Sequence, residues 1–248
     1  MRWLVLPLSL LIFSCSSNTP ISLGNPTLPP PGGSPNIFKR YSAEEDAVMM
    51  GGWSQNFDMS GISFNERMTV TLVTRRHVVM ASHYRRKNGS KVVFHNRMGT
   101  RVERTLISVV KVHGDVAVGL LDSDVPQGLK AYSLPAAQED FSSLKGMPVV
   151  VTDQNRRIFF HEVALVNPTS INFSHPESSK HGWGKNLVKG DSGNPSFLIS
   201  GGELVLIETH TFGGGGTGPF FGSLKIQEKL KAAITKLSPG YRLRFKSL

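Results

Sequence analysis

The amino-acid sequence predicts an all-β body closed by one C-terminal helix. Three observations carry this prediction. Short stretches rich in apolar and β-branched residues recur from residue 64 onward, Gly, Asn, Asp or Pro separates them, and a 3.6-residue apolar period emerges near the C-terminus. In chain order, MTVTLVT (68–74) alternates bulky and hydroxyl side chains, as a half-buried strand does. HVVMAS (77–82), KVVFH (91–95), TLISVVKV (105–112) and VAVGLL (116–121) follow, and then MPVVVT (147–152), RIFFHEVALV (157–166), PSFLI (195–199) and LVLIETHTF (204–212). Many short strands joined by turns suggest a barrel or a sandwich. The helix is read over 225–237, where Ile226, Leu230, Ala233, Ile234 and Leu237 share one face and Pro239-Gly240 stops it.

The 248 residues, 39% hydrophobic, suffice for one large or two small packed units. Cys15 is the only cysteine, so no intramolecular disulfide can form and the core alone must hold the fold. The formal charge of +10 admits an anionic partner. Its cations are scattered through TRRH, YRRK and YRLRFK with acids between, however, and without a dense run or an aromatic stripe. Nucleic acid is therefore not an expected partner. The chain is read as a monomer.

The first fifteen residues, MRWLVLPLSLLIFSC, carry Arg2, an apolar run from Trp3 to Phe13 that is too short to span a bilayer, and Ser14-Cys15. Ile12-Phe13-Ser14-Cys15 resembles the lipobox of bacterial lipoproteins, although Phe13 is bulkier than that pattern favours. The resemblance implies an exported protein, lipidated at Cys15 and held on a membrane of the bacterial cell envelope. An ordinary secretory signal with a stray cysteine is the alternative. Residues 16–44 begin with a Pro/Gly/Ser-rich stretch that cannot bury enough surface to fold, and they read as a spacer ahead of a folded domain at 45–248.

The chemistry gathers in three short patches. Gly190-Asp191-Ser192-Gly193 places a serine between glycines, His83 ends the run VVMASH, and Asp115 opens the apolar strand VAVGLL. An ionised acid at the buried end of a strand costs several kcal/mol unless paired, and an imidazole N–H is a suitable partner. A serine hydroxyl in turn is a poor nucleophile without a base in reach. Each patch alone reads equally as a turn or a core residue.

Together, and in this order, they resemble the chymotrypsin/trypsin-like serine proteases. Thr69–Tyr84 is similar to the family's strand-turn-strand ending in small-small-His. His113-Gly114-Asp115-Val116-Ala117-Val118 is similar to its Asp-hydrophobic-Ala-hydrophobic segment, and residues 190–193 match Gly-Asp-Ser-Gly. Asn194 departs from the glycine that follows in the family.

The resemblance implies two six-stranded antiparallel β-barrels, the first at about 45–122 and the second at about 130–223, with the site in the cleft between them. It implies a serine-type endopeptidase acting on a protein or peptide substrate, with catalytic His83, Asp115 and Ser192, and an oxyanion hole from the N–H groups of Gly190 and Ser192. No cofactor or metal is implied. Thr74-Arg75-Arg76-His77-Val78-Val79 also resembles a segment of the HtrA-like and glutamyl-endopeptidase branches, which keeps His77 as an alternative base.

Thr211, Phe212 and Gly213 take the place of the family's substrate-pairing strand, and Asn186 that of its pocket base. Because Asn186 is uncharged, Lys or Arg specificity is not expected. His210 on the pocket wall, with Lys189 near the mouth, resembles the glutamyl-endopeptidase branch and implies an acidic residue before the cleaved bond. Asp191 pairs in the family with an N-terminus freed by cleavage. Met49-Met50-Gly51-Gly52 only faintly resembles such an activation sequence, which leaves that partner unassigned. A non-catalytic relative acting as an envelope-anchored binding module is the rival reading.

Overall fold

The computed structural model describes residues 33–138, 140–175 and 183–248. Cys15, the stretch read as a signal sequence and most of the residues read as a spacer lie outside the described residues. Pro35–Ile37 runs beside the turn at Arg156–Ile158, with the Ile37 N–H donating to the Arg156 carbonyl at 2.9 Å. A small hairpin, β1 (Phe38–Arg40) with β2 (Val48–Met49), follows.

The first six-stranded sheet contains β3 (Ile62–Ser63), β4 (Val70–Leu72), β5 (His77–Ala81), β6 (Lys91–His95), β7 (Arg101–His113) and β8 (Val116–Leu121). Its strand order is β3-β4-β5-β8-β7-β6. A short β9 (Leu134–Pro135) leads on to the second half. There β10 (Pro148–Thr152), β11 (Ile158–Val166), β12 (Ser170–Ser174), β13 (Pro195–Ser200), β14 (Glu203–Thr209) and β15 (Thr217–Pro219) form the second sheet, in the order β14-β13-β10-β11-β12-β15. Both sheets curl into barrels with antiparallel neighbours. The chain closes with α1 (Leu224–Leu237) and β16 (Phe245–Lys246), which pairs parallel with β9.

The barrels differ from the strands read in the sequence in two ways. TLISVVKV is the second half of a single 13-residue strand, β7, whose first half pairs with β6 and whose second half pairs with β8. The barrels are completed by β3, β12 and β15, whose short polar or Gly/Pro-containing sequences lack the usual strand composition.

Each barrel has its own apolar filling. Val70, Leu72, Val78, Met80, Leu106 and Leu121 pack in the first, and Val149, Val151, Ile171, Leu198, Ile207 and Phe220 in the second. A third cluster joins them. Val79, Val116 and Val118 of the first barrel meet Phe197 and Leu206 of the second and Ile226, Leu230 and Ile234 of α1. At roughly 1.5–3 kcal/mol per fully buried side chain, this shared layer fixes how the barrels face each other. The cleft along that seam brings the front-half and back-half residues of the site together.

Candidate active site

His83 follows β5 and Asp115 precedes β8, and these two strands are hydrogen-bonded neighbours. The Ser82 N–H donates to the Asp115 carbonyl at 2.8 Å, which clamps the two strand ends. The Asp115 carboxylate then receives the His83 backbone N–H on Oδ1 at 2.8 Å and the His83 Nδ1–H on Oδ2 at 2.7 Å. Held on both sides, the imidazole keeps Nε2 free of the proton that sits on Nδ1. The Ser192 hydroxyl donates to that Nε2 at 3.0 Å. One further donor reaches the acid from the second barrel, the Thr211 hydroxyl on Oδ2 at 2.8 Å.

His77, the alternative base, sits elsewhere. It is buried within β5, its Nδ1 is 2.8 Å from the Thr74 hydroxyl, and its ring packs against Tyr241. Burial, with Arg76 nearby, lowers its pKa to about 4.

The nucleophile segment needs its glycines. Gly190 and Gly193 have φ values of 101° and 85°, in the left-handed region that other residues adopt at a cost. At Gly193 the second barrel passes so near the first that a Cβ would stand 3.2 Å from the Thr69 carbonyl oxygen. Asn194, the departure from the family pattern, is fully buried at this crossing. Its Oδ1 accepts from the Thr69 hydroxyl at 3.2 Å and its Nδ2 donates to the Asp191 carbonyl at 3.1 Å, so its amide ties the nucleophile turn to the first barrel. The Gly193 N–H donates to the His210 carbonyl. Among the described residues, the N–H groups of Gly190 and Ser192 have no protein acceptor.

Asp191 is 1% exposed and fully engaged. Its Oδ2 accepts the Val188 N–H at 2.8 Å and faces Lys185 Nζ at 3.4 Å, and its Oδ1 accepts the Gln154 N–H at 3.1 Å. Lys185 is therefore the partner that the sequence left unassigned. The same ammonium lies 2.6 Å from Asp153.

The expected substrate-contacting residues divide. Thr211 points its hydroxyl at Asp115, as described. Phe212 is 68% exposed on the cleft rim, and Gly213 abuts the Leu187 carbonyl, 2.5 Å from where a Cβ would be. Lys189 is exposed. Asn186, expected at the pocket base, is also exposed, and its Oδ1 accepts from His175 Nε2 at 2.7 Å.

His210 is buried on the wall strand, with Nδ1 2.7 Å from the Glu208 carboxylate. Glu208 is itself fully buried against the backbone of Gly218, where a side chain would displace it. The His161 ring lies 5.1 Å from that of His175, tilted by 44°, and donates from Nδ1 to the Gly215 carbonyl at 2.6 Å. Burial lowers the His161 pKa to about 4. Glu208, His161, Lys185 and the Thr211 hydroxyl are contributors that the sequence reading did not identify. An acid two residues before His210 on a strand, hence on the same face, was the available signal for Glu208. A cavity of about 180 Å3 opens beside Asp115, lined by His113, Thr169, Thr211, Phe212, Pro219 and Ile226.

No protein-family model matches this chain, and no curated protein matches it. Solved structures do. Human heparin binding protein superposes with a TM-score of 0.53 at 16% identity, over 70% of this chain and 88% of its own. A mutant of the same human protein gives 0.55 at 14% identity, over 74% and 95%. The shared architecture is that of the trypsin-like proteases.

Proposed function

We propose that this chain is a serine endopeptidase. One observation carries the reading: carboxylate, imidazole and hydroxyl form an unbroken hydrogen-bonded line across the seam, from Asp115 through His83 to Ser192. In the reaction, Ser192 Oγ attacks the scissile carbonyl carbon while its proton passes to His83 Nε2. Asp115 stabilises the imidazolium so formed and keeps the ring in register. The unspent N–H groups of Gly190 and Ser192 face the developing oxyanion, and donors of that kind are worth roughly 3–4 kcal/mol each. The imidazolium then gives its proton to the leaving amine, and water repeats the sequence in reverse to free Ser192.

The exposed Phe212 and the neighbouring cavity suit residues on the amino side of the scissile bond. For the residue at that bond we assign an acidic preference, supported by His210 on the wall and Lys189 at the mouth. Glu208 already faces His210 Nδ1, and among the described residues Nε2 is buried without a partner, so a substrate carboxylate would reach it only by opening the pocket wall. The incoming acid meets a repulsive neighbour there, so the preference should be graded. A peptide library cleaved mainly after Glu or Asp is the expected result, whereas cleavage mainly after Arg or Leu removes this assignment.

A fluorophosphonate probe tests the activity itself. Covalent labelling that disappears in Ser192→Ala supports hydrolysis, and an unlabelled wild type supports the binding-module reading instead. We also propose that the domain is exported and held on a membrane by acylation of Cys15. Release into the soluble fraction by Cys15→Ala is the expected outcome, and unchanged membrane retention would count against it.

A further inference from the structure

Resting on the protease reading, we infer that Lys185 is a positioning residue for the oxyanion-binding turn, and that the intact, uncleaved chain is therefore competent. Two carboxylates, Asp153 at 0% and Asp191 at 1% relative exposure, are sealed beneath the nucleophile segment. Buried charges of this kind are tolerated only when paired. Lys185 Nζ stands between them, at 2.6 Å from Asp153 and 3.4 Å from Asp191. Arg157 serves Asp153 as well, at 2.7 Å. For Asp191, Lys185 is the ion-pairing cation among the described residues.

The remaining lone pairs of these acids organise backbone. Asp153 Oδ1 accepts the N–H groups of Asn155 and Arg157, shaping the turn between β10 and β11. Asp191 accepts the N–H groups of Val188 and Gln154. Gln154 also donates from Nε2 to the Lys189 carbonyl at 3.1 Å, and its side chain fills the space a Cβ on Gly190 would take. Through Lys185 the β10–β11 turn and the 188–192 segment thus become one rigid unit, from which the two unspent N–H groups project.

The chain's own N-terminal side crosses the same turn. Asn36 bridges to Arg157, and the Ile158 N–H donates to the Pro35 carbonyl at 2.8 Å. This strand continues upstream, so what it presents to the turn is peptide backbone, and the charge at Asp191 is met by a side chain. Without Lys185, the buried Asp191 carboxylate is left without a cation and is driven to rotate toward water. That rotation releases the Val188 and Gln154 contacts and misaims Gly190.

The test uses the full chain, with its intact mass confirmed, and compares wild type, Lys185→Met and Lys185→Arg. Because oxyanion donors act on the transition state, Lys185→Met should lower kcat and the fluorophosphonate labelling rate by about 100-fold while leaving KM within about threefold. Lys185→Arg should recover most of the rate. Thermal melting of each variant identifies the folded fraction, to which rates are normalised. Wild-type labelling with equal labelling of folded Lys185→Met overturns the role of Lys185 while leaving the protease reading in place. A wild type that stays unlabelled both intact and after proteolytic trimming overturns the protease reading itself. Should Lys185→Met fail to fold, Lys185→Gln takes its place: a kcat lowered about 100-fold at a near-unchanged KM supports positioning, and a wild-type rate in the folded variant overturns it. Activity that appears only after proteolytic trimming of the wild type refutes competence of the intact chain.

Discussion

Replacing Thr211 by valine removes one hydroxyl and keeps the shape of the side chain, so it isolates a single hydrogen bond behind the imidazole. That bond runs 2.8 Å to Asp115 Oδ2, the same oxygen that holds His83 Nδ1. Hydrogen bonds to a charged acceptor contribute about 1.5–3 kcal/mol. The acid is only 18% exposed at its side chain, so little water can replace the lost donor. Two donors remain, both from His83, and both survive the substitution. The loss therefore falls on the stability and aim of the carboxylate as the imidazolium forms. Taking half to all of the bond's worth gives roughly a 4- to 160-fold fall in kcat/KM, at 1.36 kcal/mol per decade. Thr211→Ser keeps the hydroxyl and should lie within threefold of wild type, by about the same rule. Steady-state kinetics on a fluorogenic peptide, with melting curves as the control for folding, read the effect. Wild-type kcat/KM in the valine variant would refute the idea that this hydroxyl supports the acid.

Acid should destabilise the fold through two buried histidines. Burial holds His77 and His161 at pKa values of about 4, against 6.5 for a free imidazole. Their folded pKa values are depressed, so the unfolded chain binds more protons between the two limits. The stability is fully present above pH 6.5 and is lost as pH falls toward 4, at about 3 kcal/mol for each group. Urea unfolding at pH 7 and at pH 4.5 should show the drop, and His77→Gln should reduce it. Gly193→Ala should destabilise by about 1–3 kcal/mol, because φ there is 85° and a Cβ would press on Thr69, and calorimetry would measure it. Glu208→Gln removes the charge beside His210 and should raise the ratio of cleavage after Glu to cleavage after Gln, as measured with a matched pair of peptides. An unchanged ratio would show that the buried acid does not act on the substrate.

Local patterns made the barrels and the reacting line legible. VVMASH, HGDVAV and GDSG each carry their own strand or turn chemistry, and the strand that ends in Ala81 pairs with the one that Asp115 precedes. What the sequence could not disclose were the partners met across a sheet. Lys185 and Asp153 are 32 residues apart and meet only because residues 183–186 lie against the β10–β11 turn. Nothing in the composition of WGKN indicates that encounter. The orientation of Glu208 depends on a bulge, since the β13–β14 register shifts between Ser196 and Phe197, and strand alternation alone does not locate such a shift. Asn194 reads as a mild change in a motif, yet its amide spans the two barrels. The family resemblance implies Asn186 at the pocket base, six residues before Ser192. In the fold the chain there lies at the surface, because Leu187 turns inward and pairs its backbone with Gly214.

The seam between the barrels also sets a timetable. His83 and Asp115 belong to the front half of the polypeptide, whereas Ser192, Thr211 and the helix that seals the shared apolar layer come much later. A chain emerging from its amino end would hold an idle imidazole–carboxylate pair for most of its synthesis. On the proposed protease reading, cutting power would arrive only with the last third. Division of the reacting groups between two halves would thus protect the newborn molecule and its neighbours from premature self-digestion.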